Sequence, residues 1–342
     1  MSRSLRALAK TDLHVHFQGS ARAATVRELA RTHDSPLPPS LAAGDYSFTS
    51  FSDFLGQYAF VCGCLRTPDD LHRVAVEICE DEAAAGVRYA EVTLTVAPYL
   101  HHGGEDDAVR AVLAGFADAQ ASTGVTAQLV VDIVRGFPEE LAVGTRDCAV
   151  RFAGEGVVAL GLGGDETHPP EPYRDHFDAA LAAGLKSVPH AGESTGPASI
   201  RGALDALGAH RIGHGIRVVD DPALVVELVD GVVPLEVCPT SNIATGVIAT
   251  WGEHPLRDLV DAGLAVTLNS DDPAMFHVSV LDEYKRARAD GFTDAELAHI
   301  ARTGVCASFA PSELVTEMMA DIDAWLHALP DTELPDTELE VP

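Results

Sequence analysis

The sequence predicts a (β/α)8 barrel, and three observations carry that expectation. Eight short β-branched runs recur along 342 residues, amphipathic stretches of helical period separate them, and the chemically distinctive motifs stand at the C-terminal ends of the runs. The strand candidates are 11–16, 87–96, 127–134, 157–163, 186–190, 211–214, 233–238 and 264–269, and the helical spacers include 67–85, 105–121, 173–183, 200–207 and 222–229. A doubly wound open sheet is the competing arrangement, but the Gly-rich dinucleotide turn it needs after the first strand is missing. Gly161-Leu162-Gly163-Gly164 closes the fourth run instead and leads into Asp165-Glu166, which reads as close approach of backbone to a ligand.

The length suits one barrel domain over 1–329. Residues 21–66 form an insertion after the first strand, with prolines and the aromatics Phe48, Phe51, Phe54, Tyr58 and Phe60. Helices there would lid a pocket and give it an apolar wall, or simply pack on the barrel. From Pro330 the chain repeats Pro-Asp-Thr-Glu-Leu, and 330–342 is expected to be a disordered acidic tail.

Charge narrows the partners. With 52 acidic against 23 basic residues the net charge is −29, whereas binding to nucleic acid or an anionic membrane needs clustered Lys and Arg. No apolar run reaches the roughly 20 residues that span a bilayer, and residues 1–10 show no apolar stretch with a cleavage site. A cytoplasmic enzyme acting on a small molecule is expected; the sequence gives no sign of oligomeric state. The six cysteines form no Cys-x-x-Cys pair, so they are expected to be reduced core residues, and a cysteine-rich zinc site is absent.

Four motifs carry the chemistry: His14-Val15-His16, His190-Ala191-Gly192-Glu193, Gly213-His214-Gly215 and Ser270-Asp271-Asp272-Pro273. His14 and His16 lie two apart, so a strand shows both on one face, and Leu13, Val15 and Phe17 bury that strand. Neutral imidazoles are good zinc ligands, and His190 and Asp271 each end a further run. Three histidines and a carboxylate would hold one Zn2+ and leave a position for water. A second metal would need a bridging lysine or glutamate at a mid-barrel strand end; no lysine stands there, although Glu166 is near. Glu193 is close to that metal without being a ligand, and a partly desolvated glutamate works as acid and base. His214 would polarise or deprotonate the water, and Asp272, pointing differently from Asp271, would meet the substrate.

In the order and identity of these motifs, from about Lys10 to Leu326, the chain resembles the adenosine deaminase family of zinc-dependent purine aminohydrolases. The resemblance is carried by Leu13 to Ser20, Gly164-Asp165-Glu166, His190 to Glu193, Arg211 to Gly215, Glu236 to Asn242 and Leu268 to Pro273. It implies a (β/α)8 barrel with one zinc on His14, His16, His190 and Asp271. It further implies that Glu193 protonates purine N1, that His214 and Asp271 manage the attacking water, that the Gly164 N–H meets N3 and that Asp272 bonds N7. One position departs: where adenosine deaminases usually carry an acid after the His-x-His pair, as a sugar-hydroxyl acceptor, this chain has Gln18. Deamination at C6 of a 6-aminopurine nucleoside is therefore expected. Adenosine, a 5′-altered nucleoside such as aminodeoxyfutalosine, and adenine itself all remain open as substrate.

Overall fold

The computed structural model describes residues 3–329, so the expected tail at 330–342 lies outside the described residues. The strands are β1 (Lys10–His16), β2 (Val87–Leu94), β3 (Thr126–Arg135), β4 (Val157–Gly164), β5 (Lys186–Ala191), β6 (Ile212–His214), β7 (Leu235–Val237) and β8 (Val266–Leu268). Each pairs in parallel with the next, in sequence order from β1 to β8. The seam between β8 and β1 is closed just past β8. His16 N–H donates to Asp271 O at 2.7 Å, and Asp271 N–H donates to His14 O at 2.8 Å. Parallel strands joined by helices in this order make a (β/α)8 barrel, whose active sites lie at the C-terminal strand ends.

Every expected strand is present. The last three are only three residues long. The helices show ordinary local causes. Pro68–Ala85 opens with a Thr67/Asp70 capping box and stops at Gly86 in the left-handed region. Glu139–Arg151 and the three helices Val280–Ala289, Asp294–Ala307 and Ser312–His327 were not marked by the apolar pattern. No helix of the described residues is long and apolar enough to cross a membrane. Cys64, Cys79, Cys148 and Cys238 are buried free thiols.

The insertion folds as three helices, α1 (Ala23–Thr32), α2 (Pro39–Ala43) and α3 (Phe51–Cys64). Phe54 of α3 stacks on Phe276 with ring centroids 5.2 Å apart, and Phe48 meets the same ring edge-on. His277 Nε2 lies 3.0 Å from Tyr46 O. These contacts fasten α3 to the loop after β8, which carries Asp271 and Asp272, and α3 in turn sets Tyr58 6.5 Å from the His16 ring.

Candidate metal centre and active site

The sequence-singled residues meet around Asp271. Ligand atoms of His14, His190, His214 and Asp271 all lie within 4.8 Å of one another. His14 Nε2 and His16 Nε2 stand 3.4 and 3.3 Å from Asp271 Oδ1, and His16 Nε2 is 3.3 Å from His190 Nε2. The other oxygen, Oδ2, is 3.9 Å from His214 Nε2, which is also 3.7 Å from Glu193 Oε2. Five candidate ligands thus crowd one point, and Glu193 approaches it from the His214 side.

Backbone geometry explains how they come together. His14 and His16 project from alternate positions of fully buried β1. Gly213, inward on β6, leaves room for the His14 ring: a Cβ there would sit 2.9 Å from His14 Cε1. His214 (φ 58°) and Asp271 (φ 63°) both hold the left-handed conformation, which costs a non-glycine residue about 1–3 kcal/mol. The surroundings enforce it for Asp271. Asp12 accepts from the N–H and, at 2.5 Å, the hydroxyl of Ser270, while Asn269 Oδ1 accepts from Leu13 N–H at 3.0 Å.

The ionised carboxyl of Asp271 favours a cation here. Burial opposes ionisation of Asp271, but the hydrogen bond and charge of His14, then His214 and His16, outweigh it and hold the carboxyl well below its usual range. Burial likewise opposes a charge on His14, yet Asp271 and Glu236 on its two sides push it up to about 10. Burial, reinforced by neighbouring imidazoles, holds His190 well below the ordinary histidine value and His214 down to about 4. His190, and His16, which burial also lowers, offer lone pairs as a metal needs, whereas His14 must release a proton to bind one. Buried His14 Nε2 and His190 Nδ1 have no aligned hydrogen-bond partner among the described residues. The donor set fits a single metal ion.

Glu193 has the character of an acid. Burial first, then the negative charges of Asp271 and Glu166, push its carboxyl up to about 8. Asp272 is buried, with Oδ1 unpartnered among the described residues, and burial and Asp271 hold it well above the usual carboxylate range. Gly164 ends β4 exposed at φ 87°, where a Cβ would crowd Val134 and the Arg135 backbone, so the position suits glycine. Gln18 does not join this cluster. It is fully buried, donates from Nε2 to Thr95 O at 3.0 Å, and receives Tyr58 OH at 3.4 Å on Oε1.

Several supporting residues escaped the sequence reading. Glu166, left open there as a bridge to a second metal, is used differently. It accepts from the N–H groups of Gly192, Glu193, Ser194 and Thr195 and from the hydroxyl of Ser199, so it collars the turn that carries Glu193. Arg135 grips the same turn by donating to His190 O at 2.5 Å. Glu236 accepts from Arg211 Nε at 2.5 Å and lies 2.9 Å from His14 Nδ1, and Arg211 also pairs with Glu91. The signal was available: Glu91, Arg211 and Glu236 are charges inside otherwise apolar strand runs, and buried charges need partners.

Comparison with known proteins agrees with this chemistry. The family model described as "Adenosine deaminase" matches residues 9–325. The chain is 40% identical to an aminodeoxyfutalosine deaminase from Streptomyces avermitilis, over 94% of this chain and 92% of that one. Its fold matches the crystal structure of an adenine deaminase from Arthrobacter aurescens with TM-score 0.87 and 29% identity, over 93% and 99% of the two chains. An amidohydrolase from Burkholderia ambifaria, solved with bound zinc, matches with TM-score 0.86 and 27% identity over 94% and 92%. A barrel with these residues at its rim, matched over nearly its whole length, belongs to the adenosine deaminase family and is a hydrolytic deaminase of aminopurines.

Proposed function

We propose that the chain catalyses zinc-dependent hydrolytic deamination at C6 of a 6-aminopurine nucleoside. The observation that carries this reading is the convergence of His14, His190, His214 and Asp271 within 4.8 Å of one another, with His16 3.3 Å from both Asp271 and His190 and with Glu193 3.7 Å from His214. We assign His14, His16, His190 and Asp271 to the metal and leave His214 and Glu193 for the chemistry. When bound, zinc supplies a Lewis acid that lowers the pKa of water to near neutrality. The protein's groups do the rest. Glu193 gives a proton to purine N1, which makes C6 electrophilic. His214 holds the oxygen that adds at C6, and Asp271 takes its proton. Asp272 bonds N7 and the Gly164 N–H meets N3, fixing the ring. Asp271 passes the proton it took to the amino group, which leaves the tetrahedral carbon as ammonia, while the C6 hydroxyl returns its proton to Glu193, leaving a 6-oxopurine with its proton on N1.

The 5′ side of the substrate is read from Gln18. Its amide is tied to Thr95 and Tyr58, so it offers no free carboxylate to an unmodified sugar hydroxyl. This supports a nucleoside altered at its 5′ end, the kind of substrate that the 40%-identical Streptomyces avermitilis relative is named for. The adenine deaminase from Arthrobacter aurescens supports a second reading, the free base. The net charge of −29 supports a small substrate over a nucleic acid.

Ammonia release from adenosine, adenine and aminodeoxyfutalosine, measured in parallel with zinc-loaded protein, tests the proposal. The highest kcat/KM is expected on the 5′-extended nucleoside. A preference for adenine would replace the nucleoside reading, and silence on all three by zinc-loaded protein would end it.

A further inference from the structure

Three residues outside the four chemical motifs, Asn242, His254 and Leu256, line up behind His214. Leu256 donates its backbone N–H to His254 Nδ1 at 3.1 Å. A backbone amide is only ever a donor, so Nδ1 must present its lone pair, and neutral His254 carries its proton on Nε2. That nitrogen lies 3.1 Å from Asn242 Oδ1, which accepts the bond and so decides which end of the amide is which. Asn242 Nδ2 is then the donor, 3.2 Å from His214 Nδ1. An accepting Nδ1 leaves the proton of neutral His214 on Nε2, the atom 3.7 Å from Glu193 Oε2 and 3.9 Å from Asp271 Oδ2.

We propose that the Leu256 amide, acting through His254 and Asn242, holds His214 with its proton on Nε2, so that His214 donates a hydrogen bond to the oxygen adding at C6 and does not ligate the metal. The order cannot be reversed link by link. Turning Asn242 over would set its NH2 against the Nε2–H of His254; moving that proton to Nδ1 would set it against Leu256 N–H. Protonating His214 on both nitrogens meets the same conflict, because its Nδ1 would then face the Asn242 donor. Asn242 is fully buried and His214 nearly so, which keeps water from filling in, and Trp251 stacks on His254 with centroids 6.0 Å apart. With His214 committed as a donor, the nitrogen ligands are His14, His16 and His190. Asn242 and His254 are positioning residues for His214; Asn242 also hydrogen-bonds the Glu193 carboxyl, so the nitrogen-15 signals, and not kcat alone, report the tautomer. The identity of the acceptor as the oxygen bound for C6 rests on the deaminase reading above; the tautomer does not.

Nitrogen-15 NMR of the full-length, zinc-loaded protein reads the tautomer directly, with His214→Gln identifying the His214 signals. The expected spectrum has a protonated Nε2 and an unprotonated Nδ1. Asn242→Asp puts a carboxylate where the donor was. It should reverse the two signals, keep zinc, and lower kcat on the order of 10^3–10^4-fold, the loss typical of a catalytic histidine in the wrong tautomer. His254→Ala should loosen the preference, and His254→Gln, which keeps a donor facing Asn242 Oδ1, should restore it and recover most of the lost kcat. An unprotonated Nε2 in the wild type overturns the proposal, and so does Asn242→Asp with unchanged His214 nitrogen signals. The spectrum needs no substrate. Failure to deaminate any 6-aminopurine would therefore sink the functional reading alone, whereas deamination with a bare Nε2 would sink only the proton order.

Discussion

His14 and His214 reach Asp271 from two sides, His14 by Oδ1 and His214 by Oδ2, and both are buried imidazoles at strand ends. They differ in what stands behind them. Behind His14 is the carboxylate of Glu236, 2.9 Å from Nδ1; behind His214 is the amide of Asn242, 3.2 Å from Nδ1. A carboxylate calls for an N–H at Nδ1 and leaves Nε2 bare, which makes a ligand. An amide donor calls for the lone pair at Nδ1 and leaves Nε2 protonated, which makes a hydrogen-bond donor. On the proposed reading, the same side chain, at the same edge of the same barrel, takes two roles because its far nitrogen meets two different partners.

The sharpest test of this division is to remove the acid that belongs to neither histidine. Glu193→Gln is expected to lower kcat on the order of 10^4-fold while metal analysis still finds one zinc per chain, since Glu193 is an acid and not a ligand. Loss of zinc along with activity would mean that acid and ligand have been wrongly separated. Next in size, Glu236→Gln strips the charge from behind His14. Zinc affinity, measured by competition with a chelator, should weaken about 10–100-fold, as for other carboxylates behind a ligating histidine. The corresponding change behind His214, Asn242→Asp, should leave affinity nearly unchanged; equal weakening by both would erase the contrast between the two sides.

How much of this was legible follows from what each residue must do. The eight strands and the four motifs could be read because strand composition and metal-ligand spacing are local properties: His14 and His16 lie two apart on one strand, and Asp271 directly follows another run. Helix Glu139–Arg151 escaped because its buried side is made of Ala142, Thr145, Cys148 and Ala149, small residues that leave a faint apolar stripe. The partners behind the histidines escaped for a different reason. Asn242 and His254 lie 28 and 40 positions from His214 along the chain, and only the fold shows that they form one line. Glu166 was noticed for its place at a strand end. Nothing local to it could show that four backbone amides of a turn 26–29 residues onward would take up its oxygens.

Smaller effects sharpen the same picture. Glu166→Gln sets an NH2 among N–H donors and should loosen the turn carrying Glu193. A fall in kcat of about 10–100-fold is expected with KM and zinc content nearly kept, and with faster amide hydrogen exchange over 192–195. In a Glu193→Gln background the same substitution should cost little more, because both act on one proton transfer. Additive losses would show that Glu166 serves something other than Glu193. The smallest expected effect is at the 5′ side. Gln18→Glu should shift the ratio of kcat/KM values toward adenosine by about tenfold or less, a single added charge-assisted hydrogen bond. No shift would mean that the amide tied to Thr95 lies out of the sugar's reach.

Deamination carried out in 18O-labelled water, with the purine product weighed by mass spectrometry, goes most directly to the claim that these strand-end groups form one hydrolytic site. Zinc-loaded wild type should place one 18O on C6 for each ammonia released, and Glu193→Gln, still holding zinc, should place almost none. A zinc-loaded wild type that leaves C6 of every 6-aminopurine unlabelled would contradict the account.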